Sequence, residues 1–347
     1  MSLESKGSKR IGLVDVARGI AMICIVLGHL GIWEINRVVF TFHVPIFYLI
    51  TGYFFKPEDS WGSFLKKKTR TLLLPYTTTS LLIAVLAVII NMIFHGTESG
   101  KLFLRWIAAA LYGAGGMTPR LIDVDPIGAI WFLLATFWGC LFLRIAVGMP
   151  AWVRIPYVMA VFLAGYLTRM IWYPFSIQAG GTALLFMYIG YMFRREGETI
   201  LSVSKEAKVG FLILAAGVWQ YFISTILTFN MVAADVGKGA VDIAGCLFAC
   251  TIVFTISWAL DKYARPVAAP LAFLGENSIL VLCMHIIELN VFPWGKVLNR
   301  LQRMGLPETW MVPVLVGLKF LWIIPMTILC ARTEPLRIIF GLSPKNK

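Results

Sequence analysis

The sequence predicts an all-α, polytopic membrane protein of about ten transmembrane helices with both termini cytoplasmic, and three observations predict it. Hydrophobic residues fill 59% of the 347 positions and charged ones only 14%, with mean hydropathy +0.80, which lies outside the range of soluble globular domains. Apolar runs of about 20 residues recur along the chain, the length a helix needs to cross hydrocarbon; exposed backbone is not tolerated in lipid, so they read as helices and not barrel strands. Lys and Arg gather on alternate sides of these runs, as membrane orientation requires.

Taken in order, the runs are 11–32, 40–55, 71–94, 127–147, 155–172, 180–193, 209–228, 240–260, 278–293 and 312–330. The first begins like a signal peptide, after Lys6, Lys9 and Arg10, but Asp15 and Arg18 interrupt it and no hydrophilic mature domain follows. It is expected to be a retained helix. The stretch 102–112, with Arg105 and Trp106, is too short to span and is expected in the interface. The loop 113–126, GAGGMTPRLIDVDP, is expected as a mobile lid, a polar wall or a plain connection. With the N-terminus inside, roughly two-thirds of Lys and Arg fall on the cytoplasmic side, Arg144, Arg194 and Arg195 among them. Arg169 and Lys319, at helix ends, either snorkel to the interface or reach inward.

Residues 1–347 read as a single integral-membrane domain with no appended soluble domain. The net charge of +13 sits at helix ends rather than in a soluble basic domain, which favours lipid headgroups and an anionic substrate over nucleic acid. All six cysteines fall within the runs, and neither a disulfide framework nor a CxxC metal site is expected.

Ionisable residues inside the runs are the functional clue. At about 100° per residue, Arg18 and His29 lie within roughly 20° of each other on the first helix and Asp15 roughly 40° away. A charge at bilayer depth costs at least about 2.5–3.5 kcal/mol, so such groups normally face a protein interior or watery cavity. Arg18 lies about 16 Å along the axis from His29, too far for contact. It pairs either with Asp15 or with an anionic ligand. His29 serves either as a proton acceptor near neutral pH or as a hydrogen-bonding link to a neighbouring helix. His43 enters the second run at a similar depth, where it flanks the same cavity or merely accompanies a kink at Pro45. Asn277 and Ser278 look like helix caps, and Ser278, His285 and Glu288 fall on related faces. Trp131 and Phe132 suit an aromatic belt. His95 is expected to be an interface residue without chemistry.

The segment LVDVARGIAMICIVLGH, 13–29, resembles the opening motif of the membrane-bound acyltransferase family 3, an Arg and a His separated by ten residues on the first transmembrane helix. FHVPIFYLITGYFF, 42–55, is similar to the family's fucose 4-O-acetylase-like branch, with Thr51 where Ser is usual. FLKKKTRTLLLPY at 64–76, IWFLLATF at 130–137 and LGENSILVLCMH at 274–285 continue the resemblance in the family's order.

The resemblance implies an O-acyltransferase of the inner (plasma) membrane that moves an acetyl group from acetyl-CoA, or another acyl from its acyl-CoA, at the cytoplasmic face. The acceptor would be a hydroxyl of a cell-envelope glycan or lipid-linked sugar. It makes His29 the general base or acyl carrier, assisted by Arg18 and Asp15. Lys66, Lys67, Lys68 and Arg70 become candidates for the coenzyme A phosphates, although ordinary topology and headgroup contact explain the same run. His43, His285, Glu288 and Trp131 become candidate walls of the acceptor cavity. A different reading is a transporter or flippase of an envelope polysaccharide or lipid using the same polar cavity; its expected sign, interrupted helices in two related halves, is not evident in the sequence.

Overall fold

A computed structural model describes residues 12–57, 60–94, 99–226 and 229–343. Lys6, Lys9, Arg10, His95, Lys345 and Lys347 lie outside the described residues. Within them the chain is helical and forms no strand beyond two isolated bridges, Arg120 with Trp172 and Asn230 with Asp235.

The helices are, from the N-terminus, α1 (Gly12–Gly28), α2 (Trp33–Val39), α3 (Pro45–Tyr53) and α4 (Trp61–Lys68). A π-helical turn, Thr69–Leu73, joins α4 to α5 (Leu74–Phe94), and α6 (Ser99–Tyr112) follows. Next come α7 (Trp131–Gly148), α8 (Ala151–Leu167), α9 (Ile177–Leu201), α10 (Lys205–Thr225) and α11 (Ala240–Tyr263). The chain ends with α12 (Arg265–Glu276), α13 (Ser278–Val291), α14 (Trp294–Arg303), α15 (Glu308–Arg332) and α16 (Glu334–Ile339).

Five of the described segments are long and apolar enough to cross a bilayer: Trp61–Ile93, Trp131–Gly148, Lys205–Thr225, Ala240–Tyr263 and Glu308–Arg332. A sixth is counted if α12 and α13, broken at Asn277, act as one span. Of the other apolar runs, 180–193 lies within the 25-residue α9, and the rest give shorter helices than expected, three of them for evident local reasons. Run 11–32 stops at Gly28 and restarts at Trp33, across Gly31 in a left-handed conformation, φ 73°, which glycine adopts at no steric cost. Run 40–55 keeps only nine residues of helix, beginning at Pro45, whose missing N–H is harmless in a first turn. The α8 helix carries Pro156 within its 17 residues. The stretch 102–112 forms most of α6, which packs along α5 through a Tyr76 hydroxyl that donates to the Ala110 carbonyl at 2.6 Å.

The chain divides into two compact units, the first made of Met1–Phe47, Ser202–Ile226 and Lys238–Ser278, the second of Tyr48–Leu201, Leu227–Gly237 and Ile279–Lys347. In the first, α1 lies directly against α12. A Cβ on Gly275 would stand 1.8 Å from the Asp15 carbonyl oxygen, and one on Gly19 2.0 Å from that of Leu271, so the two backbones touch through reciprocal glycines. With no hydrophobic drive between helices in lipid, such close approach supplies the dispersion contact that holds them. The 33–43 segment is tied to α10: Arg37 donates to the Ile223 carbonyl at 2.7 and 3.1 Å, and the Trp219 indole donates to the Thr41 hydroxyl at 2.9 Å. Arg37 thereby serves, with two donors, a carbonyl in the last turn of α10, where a helix leaves its carbonyls unpaired.

The second unit repeats the device. Gly52 of α3 meets the Met187 carbonyl of α9, and Gly190 of α9 meets that of Leu49, with would-be Cβ distances of 1.8 and 2.1 Å. The α9 helix is also flanked by α7 and α8, against which Gly180, Gly181 and Gly165 make the close contacts. The loop 113–126 is fastened rather than loose: Trp172 N–H donates to the Pro119 carbonyl at 2.6 Å, Leu121 N–H to the Tyr112 hydroxyl at 3.0 Å, and Arg105 pairs with Asp125 at 2.7 Å.

Gly275→Val should destabilise the chain by about 1–3 kcal/mol through overpacking, read as a lowered thermal midpoint of the detergent-purified protein. Gly210→Ala in α10, where an added Cβ meets nothing within 4 Å, should be neutral or stabilising, by up to about 1 kcal/mol.

Candidate functional site

In the first unit, Asp15 and Arg18 pair one turn apart on α1, Nη1 to Oδ1 3.6 Å, with side chains 6% and 30% exposed. The glycine contact of α12 falls on the Asp15 backbone itself, so the carboxylate is placed by the tightest helix contact of the unit. His29 follows the last residue of α1, and the structure leaves it exposed rather than enclosed. Its Nδ1 lies 2.8 Å from the Ile25 carbonyl. A carbonyl only accepts, so Nδ1 carries the hydrogen and Nε2 is the basic nitrogen.

His43 makes the same arrangement: Nδ1 donates to the Val39 carbonyl at 2.7 Å, while the ring packs 4.9 Å from that of Phe40. The Thr41–Trp219 bond and the edge contact of Phe42 with Trp219, 5.9 Å, fix the turn that carries His43. His43 therefore precedes α3 instead of lying within a long second helix, and Pro45 begins that helix instead of kinking it.

The second unit holds a buried polar network. His285 and Glu288, one turn apart on α13, are both 0% exposed, and His285 Nδ1 donates to Glu288 Oε1 at 2.7 Å. Lys319 of α15, 2% exposed, donates to both oxygens of the same carboxylate at 3.0 Å. The Trp294 indole N–H donates to Glu288 Oε2 at 2.5 Å, and the Lys319 ammonium lies 4.5 Å from the centroid of the Trp294 ring. Burying one such charge alone is prohibitive; three donors around one carboxylate offset the lost hydration. Sequence reasoning had Lys319 snorkelling to the interface or reaching inward. It turns inward, to Glu288. Its place within the apolar run 312–330 was the available signal, and the structure starts the helix earlier, at Glu308, which sets Lys319 deeper than the run suggested; Trp294, just beyond α13, gave none.

Trp131 is buried, not part of an exposed belt. Its ring blocks the space a Cβ on Gly115 would take and meets Trp172 edge-on at 6.3 Å. The basic run is split by the end of α4. Lys66 and Lys67 are exposed. Lys68 turns over the Phe64 ring at 5.9 Å, and Arg70 donates to the Leu342 carbonyl at 3.0 Å. Arg144 joins this end of the unit, its guanidinium 4.8 Å from the Trp61 ring and 5.0 Å from Phe64. Arg194, on α9, donates to the Tyr53 carbonyl at 3.3 Å. Arg169, at the end of α8, reaches Asp235 at 4.0 Å.

A family model described as an acyltransferase domain matches residues 11–332. The chain belongs to the membrane-bound acyltransferase family 3. Membership, with the apolar helices, makes it a multi-pass membrane acyltransferase. No curated protein and no solved structure matches it. The family match covers α1 to α15 and so includes every candidate site residue placed above.

For the buried network, Lys319→Met and Glu288→Gln should each cost about 3–5 kcal/mol because one charge is left uncompensated. The double variant should lose much less than the sum. Thermal or denaturant unfolding of the four proteins in one detergent measures the coupling.

Proposed function

We propose that the protein is an O-acetyltransferase of the fucose 4-O-acetylase-like branch, placed in the inner (plasma) membrane with both termini cytoplasmic, that carries acetyl from acetyl-CoA to a hydroxyl of a cell-envelope glycan or lipid-linked sugar. The observation that carries this reading is the hydrogen bond from His29 Nδ1 to the Ile25 carbonyl, on the helix whose Arg and His spacing resembles the family motif. It presents Nε2 as the proton acceptor a hydroxyl nucleophile needs.

In the step proposed, the sugar oxygen attacks the thioester carbonyl while Nε2 of His29 takes the hydroxyl proton. The new C–O bond forms, the C–S bond breaks, and the proton passes to the departing sulfur to give free coenzyme A. Arg18, its charge partly balanced by Asp15 at 3.6 Å, attracts the anionic carrier. Lys66 and Lys67, exposed at the end of α4, and Arg70 supply further cations for its phosphates, with Lys68 and Arg144 stacked on aromatic rings behind them. Trp131, His43, His285 and Glu288 contribute to acceptor recognition.

Radiolabelled acetyl-CoA incubated with the purified protein and a panel of envelope glycans and lipid-linked sugars tests this. Label should appear in the glycan fraction with the native chain. With His29→Ala it should fall by roughly 10²–10⁴-fold, the contribution of a positioned base, at unchanged thermal stability. Full transfer by that variant removes the mechanism, and sugar flux into vesicles without label transfer removes the enzyme reading altogether. Arg18→Ala should raise the acetyl-CoA concentration needed for half-maximal rate by about tenfold or more, the loss of one charge-assisted contact.

A further inference from the structure

We infer that Trp61 and Arg144 form the nucleotide end of the donor site: the exposed indole stacks on the adenine of the carrier, and the Arg144 guanidinium takes a phosphate carried by the same adenosine. This rests on the acyl-transfer reading above and deepens it, because the basic run offers the carrier's phosphates a partner but its purine none.

The α4 helix builds the platform. Trp61, Phe64 and Lys68 stand at i, i+3 and i+7, a spacing that puts them on one helix face. Phe64 is buried, 1% exposed, and meets Trp61 edge-on at 6.0 Å, which fixes the tilt of the indole. Trp61 itself is 47% exposed. From α7, in the same compact unit, Arg144 comes against this face, its guanidinium 4.8 Å from the Trp61 ring and 5.0 Å from that of Phe64. Rings hold a planar cation without satisfying its hydrogen bonds. Among the described residues no carboxylate or carbonyl accepts from Arg144, and its Nε, shielded from solvent, has no partner. A charged donor left in that state is costly. The half-buried side chain thus presents a pre-oriented fork, the shape that takes a phosphate through two parallel bonds.

An exposed tryptophan at a helix end is by itself explained by the membrane interface. The interface does not require a guanidinium on that ring with its donors unspent, on the helix that gathers the cations. Lys66 and Lys67 are exposed on α4, the Lys68 ammonium lies 5.9 Å from the Phe64 ring centroid, and Arg70 sits in the π-helical turn Thr69–Leu73, a kind of break found frequently at functional sites. Positive charge alone attracts any phosphate. A flat aromatic face beside it selects a phosphate that carries a base, since stacking is available to every base and to no bare anion.

The test uses the full chain in phosphatidylcholine nanodiscs, titrated calorimetrically with adenosine bisphosphate and, separately, with inorganic pyrophosphate. Native protein should bind the adenosine compound at least about tenfold more tightly than pyrophosphate, the contribution of one stacked base. Trp61→Leu, which keeps an apolar side chain against Phe64, should lose about tenfold or more of that affinity, while Trp61→Phe, still a ring, should stay within about threefold of native. Arg144→Gln should also lose about tenfold or more, one charge-assisted contact. In transfer assays Trp61→Leu and Arg144→Gln should raise the acetyl-CoA concentration for half-maximal rate by similar factors at unchanged maximal rate, yet leave that for acetyl phosphopantetheine, which keeps the thioester and lacks the adenosine, within about twofold of native. Pyrophosphate bound as tightly as adenosine bisphosphate, with Trp61→Leu changing neither, would make these cations a lipid-headgroup site and overturn the inference. An equal loss with both donors would overturn it too. If the binding pattern holds while native protein moves no label from either donor, the nucleotide site stands and the acyl-transfer reading falls.

Discussion

A charge inside an apolar helical bundle has to bring its partner with it, and the interior of this protein is arranged by that requirement. Water is not there to solvate a carboxylate or an ammonium, and leaving either alone costs several kcal/mol. Glu288 is therefore surrounded by Lys319, His285 and Trp294, and Asp15 is paired with Arg18. At helix ends the same rule acts through carbonyls, with Arg37 on α10 and Arg70 on the C-terminal segment. Each pairing also fixes a helix rotation, because a buried partner can be reached from only one face.

Packing supplies the second half of the constraint. Lipid gives helices no reason to associate by hydrophobicity alone, so backbones approach through glycines until their dispersion contact suffices. Gly19 with Gly275, and Gly52 with Gly190, are the places where this happens. The first of these pairs places α1 against α12 at the level of Asp15, so the polar face of α1 is held by the same contact that holds the helix.

The three histidines of the described residues share one feature. His29, His43 and His285 each donate Nδ1 to an oxygen, two to carbonyls four residues earlier and one to a carboxylate. Every one of them in its neutral form thus carries its lone pair on Nε2, the form suited to accept a proton from a hydroxyl. They differ in their surroundings. His29 is exposed at the end of a helix, while His285 sits in a sealed ionic network. The orientation of His285 is thus set by a buried carboxylate, whereas that of His29 is set by a carbonyl of its own helix.

Composition and run length alone determined that the chain is an all-helical membrane protein, because the cost of unpaired backbone in hydrocarbon admits few architectures. Periodicity on α1 alone put Asp15 and Arg18 on one face, and the one-turn spacing of His285 and Glu288 made their contact readable, since helix geometry is local. Where the apolar runs would break was not readable in the same way. Hydropathy does not register the left-handed Gly31, the proline start at Pro45 or the close glycine contacts that let short helices pack. Nor could spacing along the chain join Lys319 to Glu288, 31 residues apart, or fold Trp294 back over that carboxylate. Those pairings belong to tertiary structure, because burial is what turns an expensive lysine into a necessary one, and burial is decided only when helices distant in sequence come together.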